Sequence, residues 1–188
     1  MFNSGNRRIV LKKLSSCLVL LLSLYCLSGI ARASPFGVGV FGADVPFGGQ
    51  TSLTIATDGN VNVEITPTPG GTLATNTSIV TVTSTDVVGY KLYIRALSNT
   101  NLNNGSSNVV ASANGSPAPL ATNTWGYNTD ASTDFVGISL IDALIRNRTG
   151  PYKNGDGTTV TYGLKLDDSL PAGVYTTSVV YTAVPQTQ

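Results

Sequence analysis

Tyr90-Lys91-Leu92-Tyr93-Ile94-Arg95-Ala96 decides the fold class. Tyr90, Leu92, Ile94 and Ala96 fall on one side of an extended chain, and Lys91, Tyr93 and Arg95 fall on the other. Side chains alternate across a strand with a period of two. This heptad therefore reads as a strand of an antiparallel sheet with one face buried and one wet. The same rhythm recurs on both sides of it. Ser52 to Thr57, Asn60 to Thr66, Thr77 to Ser84, Thr124 to Tyr127, Thr158 to Leu166 and Val174 to Val184 are rich in Val, Thr, Ile and Tyr. Such β-branched and aromatic side chains suit a pleated, half-buried surface.

Turn residues punctuate these runs. Asp58-Gly59 reads as a two-residue hairpin turn, Pro67-Thr68-Pro69-Gly70-Gly71 as a strand end, and Asn154-Gly155-Asp156-Gly157 as a further turn. Asn99 to Asn123 is polar and of low complexity. It reads as a long loop holding a short strand near Val109-Val110. Ile138, Ile141 and Ile145 have near-helical spacing, which makes Ile138 to Ile145 the one helix candidate of the mature chain, about two turns long. The resulting seven to nine short strands predict an all-β fold, an antiparallel two-sheet sandwich of immunoglobulin-like type over residues 50–188. A barrel is the alternative.

The N-terminal segment carries an export signal. Arg7, Arg8, Lys12 and Lys13 precede the apolar run Leu14 to Leu27, and Ala31-Arg32-Ala33 is a small-x-small site. That order defines a cleaved signal peptide over residues 1–33, its helix too short to span a bilayer. The Leu-rich run favours the general secretory route. The expectation is a protein secreted or held at the cell surface, with no membrane span after cleavage. Residues 34–49 form a Gly/Phe-rich arm with Phe36, Val38, Val40, Phe41 and Phe47, either an edge strand or a loose leader to the domain.

Both cysteines, Cys17 and Cys26, lie within the signal, and the chain has no histidine. Residues 34–188 therefore lack the side chains of Cys-His and Ser-His nucleophiles and the usual zinc ligands. No disulfide staples the exported domain, which must rely on its core. Five of the 11 basic residues lie in the signal, so six remain against ten acidic ones and the exported chain carries −4. That sign disfavours a phosphate backbone as partner, so no nucleic acid is expected. No cofactor is expected. Asn154, Asp156 and Gly157 echo a calcium loop, but Tyr152 and Gly163 occupy the two key ligand positions, so a plain turn is the reading and no metal site is assigned. Asp130, Asp134 and Asp142 are weak candidates for a cation cluster. Asp167-Asp168 read as solvated charges before a turn.

Two groups of residues stand out. Trp125 and Tyr127 share a strand face, and with Tyr152 they form a candidate aromatic platform for a sugar ring, against the plainer reading of core packing. Leu170-Pro171-Ala172-Gly173-Val174-Tyr175 leads into the last strand, and Pro171, Gly173 and Tyr175 read as a fold-stabilising turn. A Tyr placed there can return its hydroxyl to backbone a few residues upstream.

Five spaced motifs carry a resemblance: Pro67 to Gly71, Val88-Gly89-Tyr90-Lys91-Leu92, Asn123-Thr124-Trp125-Gly126-Tyr127, Val160-Thr161-Tyr162-Gly163-Leu164-Lys165, and Leu170 to Ala183. Over most of residues 50–185 the chain resembles an uncharacterised family of exported bacterial surface proteins with an immunoglobulin-like β-sandwich. It is more loosely similar to WxL-type surface domains, which share the Pro-Ala-Gly-x-Tyr turn. Here Gly126-Tyr127 follow Trp125, and Tyr181 stands where those domains tend to carry Trp. The resemblance brings no catalytic residue. The export signal, the sandwich pattern, the low charge and the lack of reactive side chains point to a non-enzymatic structural or adhesive module that meets a cell-envelope polymer or protein. The long last strand and the Gly/Phe-rich arm would suit assembly with copies of itself through strand edges. A secreted carbohydrate-binding module using exposed aromatics is the alternative.

Overall fold

A computed structural model of the chain describes residues 51–186. The signal peptide, its helix and the Gly/Phe-rich arm lie outside the described residues. Those described are all-β, with no helix among them. The strands are β1 (Ser52–Thr57), β2 (Thr72–Thr85), β3 (Gly89–Ala96), β4 (Leu102–Asn103), β5 (Asn108–Ala111), β6 (Thr124–Asn128), β7 (Ala143–Thr149), β8 (Asp156–Leu166) and β9 (Val179–Gln186). They make two sheets. A six-stranded sheet in the order β1-β2-β8-β6-β5-β4 curls as a half-barrel, and a small sheet has the order β7-β3-β9. Neighbours are antiparallel except β5 and β6, which run parallel.

The alternation in β3 has the expected consequence. Tyr90, Leu92, Ile94 and Ala96 are fully buried, while Lys91, Tyr93 and Arg95 are half-buried. They join Val80 and Val82 of β2, Trp125 and Tyr127 of β6, and Val160, Leu164 and Leu166 of β8 in one apolar cluster. Residues of both sheets thus leave water together, and that shared burial is the main force holding them.

Four local expectations are corrected. Ile138 to Ile145 is not a helix. Ser139 makes a local turn, its hydroxyl bonding both the N–H and the C=O of Ile141, and Ile141 is 79% exposed. Ala143 to Thr149 then pairs with β3. Of the three isoleucines Ile138 is buried, Ile141 is exposed, and Ile145 is the extra residue where the register shifts opposite Leu92 and Tyr93, so they do not share one face. Such a bulge bends a strand and re-aims its side chains. Asp58-Gly59 does not close a hairpin. The Asp58 carboxylate accepts from the Ser78 hydroxyl at 2.6 Å and the Ile79 N–H at 2.9 Å. It replaces a ladder bond and ends β1. Asn60 to Thr66 is consequently not a ladder strand, although Val61, Val63 and Ile65 still alternate half-buried with exposed Asn62 and Glu64. The chain reverses instead at Pro67 to Gly71, where Gly71 has φ +81° and its N–H meets the Thr68 carbonyl at 2.8 Å. Finally, the last strand starts at Val179. Residues before it belong elsewhere, since Thr176 exchanges two 3.0 Å bonds with Asn103 of β4.

The Asn-rich stretch is bound by its own carboxamides. Asn104 Oδ1 accepts from the N–H groups of Ser106 and Ser107, and Asn114 Nδ2 donates to the carbonyls of Ala118, Pro119 and Phe135. Short polar side chains satisfy backbone where no ladder does. Within this stretch β5 covers the expected Val109-Val110 strand.

Candidate functional site

The three aromatics of the expected platform do not share a surface. Trp125 is 3% exposed and Tyr127 is 6% exposed. They do lie on one face of β6, but that face is the core face. Alternation shows which residues share a side and leaves open whether that side meets water. Trp125 Nε1 donates to the Thr100 carbonyl at 2.9 Å, and its ring stands 6.4 Å from that of Tyr162. A buried indole usually finds such a partner for its N–H. Tyr152 sits apart, packed edge-on to Tyr90 with ring centres 5.9 Å from each other. Burial of Trp125 and Tyr127 therefore removes two of the three rings from any sugar-stacking surface, and Tyr152 is half-buried against Tyr90.

The turn residues are arranged as a corner. The Tyr175 hydroxyl donates to the Pro171 carbonyl at 2.8 Å, and Gly173 lies against the Asn104 side chain. Because the bond is exposed, a Tyr175→Phe change is expected to cost about 0.5–1 kcal/mol, read as a lower denaturant midpoint with unchanged slope.

The acidic candidates are dispersed. Asp142 pairs with Arg95 at 3.5 Å, and Asp130 accepts from the Ser132 N–H. Asp167 bonds Ser169 and Asn123, and these bonds, led by the Ser169 hydroxyl, hold its carboxyl below the ordinary range. No group of three or more His, Cys, Asp or Glu able to hold a metal occurs among the described residues. No helix among them is long and apolar enough to cross a membrane.

The strongest polar constellation was hidden in the turn Asn154 to Gly157. Asp156 opens β8 in the large sheet, and its side chain is 12% exposed. Arg146 Nη2 meets its Oδ1 at 2.9 Å, Arg148 Nε meets Oδ2 at 3.0 Å, and the Tyr90 hydroxyl donates to Oδ2 at 2.6 Å. Both arginines come from β7 and the tyrosine from β3, so one carboxylate ties the small sheet to the large one. The register of β7 on β3 makes this possible, because Arg146 and Arg148 lie opposite the buried Leu92 and Tyr90. Burial works against the Asp156 charge, but the bonds from Tyr90, Arg146 and Arg148 together hold its pKa below the ordinary value. The sequence signal was the Arg-x-Arg spacing, two like charges on one strand face that need a shared counter-ion.

A second link joins the sheets at Tyr162 of β8 and Tyr181 of β9, whose hydroxyls meet at 2.5 Å. Burial raises the pKa of both, and it pushes Tyr90 up to about 12, aided by its bond to Asp156. The folded chain therefore keeps phenol protons that the unfolded chain gives up near pH ~10. The resulting stability is fully present below that pH and is lost as pH rises toward 12. Alkaline titration should show part of the tyrosinate absorbance appearing only together with loss of the β-sheet signal. Ionisation of every tyrosine well below unfolding would contradict these buried links.

On the outer face of the large sheet, Phe135 is fully buried against a glycine pair. Gly126 and Gly163 are cross-strand partners, and a Cβ on Gly163 would lie 2.5–2.8 Å from three Phe135 ring carbons. Beside this ring runs a shallow depression of ≈ 400 Å³ lined by Leu73, Thr75, Thr77, Thr133 and Thr161. It carries methyls and hydroxyls and no charged side chain. The polar chemistry of the described residues is thus concentrated in links between strands and sheets. No protein-family model matches this chain, and no curated protein does.

Proposed function

We propose that the chain is an exported, non-catalytic β-sandwich of immunoglobulin-like type, serving as a structural or adhesive module at the cell surface. One observation carries the reading. The charged and phenolic groups that elsewhere do chemistry are here committed to joining the sheets, with Asp156 held by Tyr90, Arg146 and Arg148, and Tyr162 held by Tyr181. The signal-like residues 1–33 and the resemblance to bacterial surface proteins support export. The shared core of both sheets supports the sandwich. A domain that must fold outside the cell without disulfides gains from cross-sheet links of this kind.

Its partner in this reading is a polymer or protein of the cell envelope. Co-sedimentation with isolated envelopes tests it. Saturable binding that survives moderate salt is expected, and recovery of all the protein in the supernatant at every concentration contradicts it.

A further inference from the structure

We propose that Asn154 is a site of spontaneous covalent modification, where attack by the Gly155 backbone nitrogen turns the carboxamide into aspartate and isoaspartate and slackens the clamp at Asp156. The inference does not depend on the proposed function. The chemistry needs an Asn or Asp whose side-chain carbonyl carbon can meet the next backbone nitrogen. A glycine in the following position permits that approach best, because it has no Cβ and turns freely. Five such pairs occur among the described residues, beginning at Asp58, Asn104, Asn114, Asn154 and Asp156.

Four of the five are held. The Asp58 carboxylate accepts from Ser78 and Ile79, and that of Asp156 accepts from Tyr90, Arg146 and Arg148. Asn104 Oδ1 accepts from the N–H groups of Ser106 and Ser107, and the Gly105 N–H is itself bonded to Asn103 Oδ1. Asn114 Nδ2 donates to three backbone carbonyls at 2.9, 3.1 and 3.2 Å. Each of these side chains must give up bonds before a ring can close. Asn154 is exposed, and its carboxamide makes no hydrogen bond among the described residues. The one bond that has to open is that of the turn, from the Gly155 N–H to the Tyr152 carbonyl at 3.2 Å. The fold also requires the glycine. Gly155 has φ +84°, and a Cβ there would lie 2.7 Å from Thr81 Cγ2.

The reaction consumes only water. Gly155 N bonds to Asn154 Cγ, the bond from Cγ to the side-chain nitrogen breaks, and ammonia leaves with the Gly155 amide proton. Water then opens the five-membered imide. Cleavage at Cγ leaves aspartate. Cleavage at the main-chain carbonyl leaves isoaspartate, whose main chain runs through Cγ and is one carbon longer. Both products add a negative charge. Their position gives them a consequence. Tyr152 is tied to Ser84 by bonds of 3.0 and 3.1 Å, and Asp156 carries the bonds that join the two sheets. A longer main chain between these anchors draws the Asp156 carboxylate away from Arg146 and Arg148.

Ageing of the intact folded chain at mildly alkaline pH, followed by tryptic peptide mapping against an unaged digest, tests this. Cleavage after Lys153 and Lys165 releases a peptide in which Asn154 is the sole asparagine. The mass gain of amide-to-acid conversion is expected there at least about tenfold faster than at Asn104 or Asn114, whose bonds protect them. In concentrated urea the three rates should converge. The purified isoaspartyl form is expected to melt lower than the parent by about 2 °C or more. Asn154→Gln, whose imide would be six-membered, should keep the parent's melting temperature through ageing. Equal rates at the three sites in the folded chain overturn the inference, as does an Asn154 that stays unmodified. An isoaspartyl form that melts with the parent overturns the coupling to Asp156.

Discussion

Asp156→Ala is expected to destabilise the domain by about 2–3 kcal/mol, lowering its melting temperature by roughly 6–12 °C. The change removes the single carboxylate that neutralises Arg146 and Arg148 and accepts from Tyr90. Two guanidiniums are then left facing each other, and a buried phenol is left without its acceptor. The figure lies below the ~3–5 kcal/mol of a fully buried pair because both arginines reach solvent. Asp156→Asn should cost less, since its carbonyl still accepts from Tyr90. The sign of the pH dependence follows from the depressed pKa of Asp156. Its contribution is fully present above the unfolded-state value near ~4 and is lost as pH falls through the lower folded value. Acid unfolding of the Asp156→Asn variant should therefore be less steep than that of the parent. Equal stability of Asp156→Ala and the parent at neutral pH would show that the cluster does not hold the sheets.

Gly163→Val is expected to cost about 3 kcal/mol or more. Its first added carbon would lie within 2.8 Å of three atoms of a ring that has no exposed surface. Phe135→Ala alone should cost about 3–5 kcal/mol, because it empties a filled site. The two changes meet in the same space, so the double variant should be more stable than the sum of the single effects by at least about 1 kcal/mol. Denaturant unfolding of the four proteins gives this coupling. Strict additivity would mean that the ring and the glycine do not touch.

The strands that bury one face were legible, because alternation is a local signal. Tyr90 to Ala96 and Thr158 to Leu166 are strands with the inward residues that their spacing indicates. The same signal misled where a side chain replaced a backbone partner. Val61, Val63 and Ile65 alternate correctly, yet Asp58 ends the ladder before them. Spacing misled again at Ile138 to Ile145, where one isoleucine is buried, one is exposed in a turn and one sits at a strand bulge. Trp125 and Tyr127 were correctly placed on one face, but the identity of that face depends on which strands lie opposite. The Asp156 cluster lay beyond local reading, since its members are separated by 8 to 66 positions in sequence. Gly126 and Gly163 appeared in the resemblance as bare motif letters. Gly163 makes room for the Phe135 ring and Gly126 for the Val136 carbonyl, and both neighbours arrive from a loop.

The proposed surface role requires export through residues 1–33. Fractionation of the native host, with mass spectrometry of the protein's first residue, tests that most directly. The account predicts a chain beginning at Ser34 and recovered with the envelope. A chain that retains residues 1–33 and is recovered from the cytoplasm would contradict it.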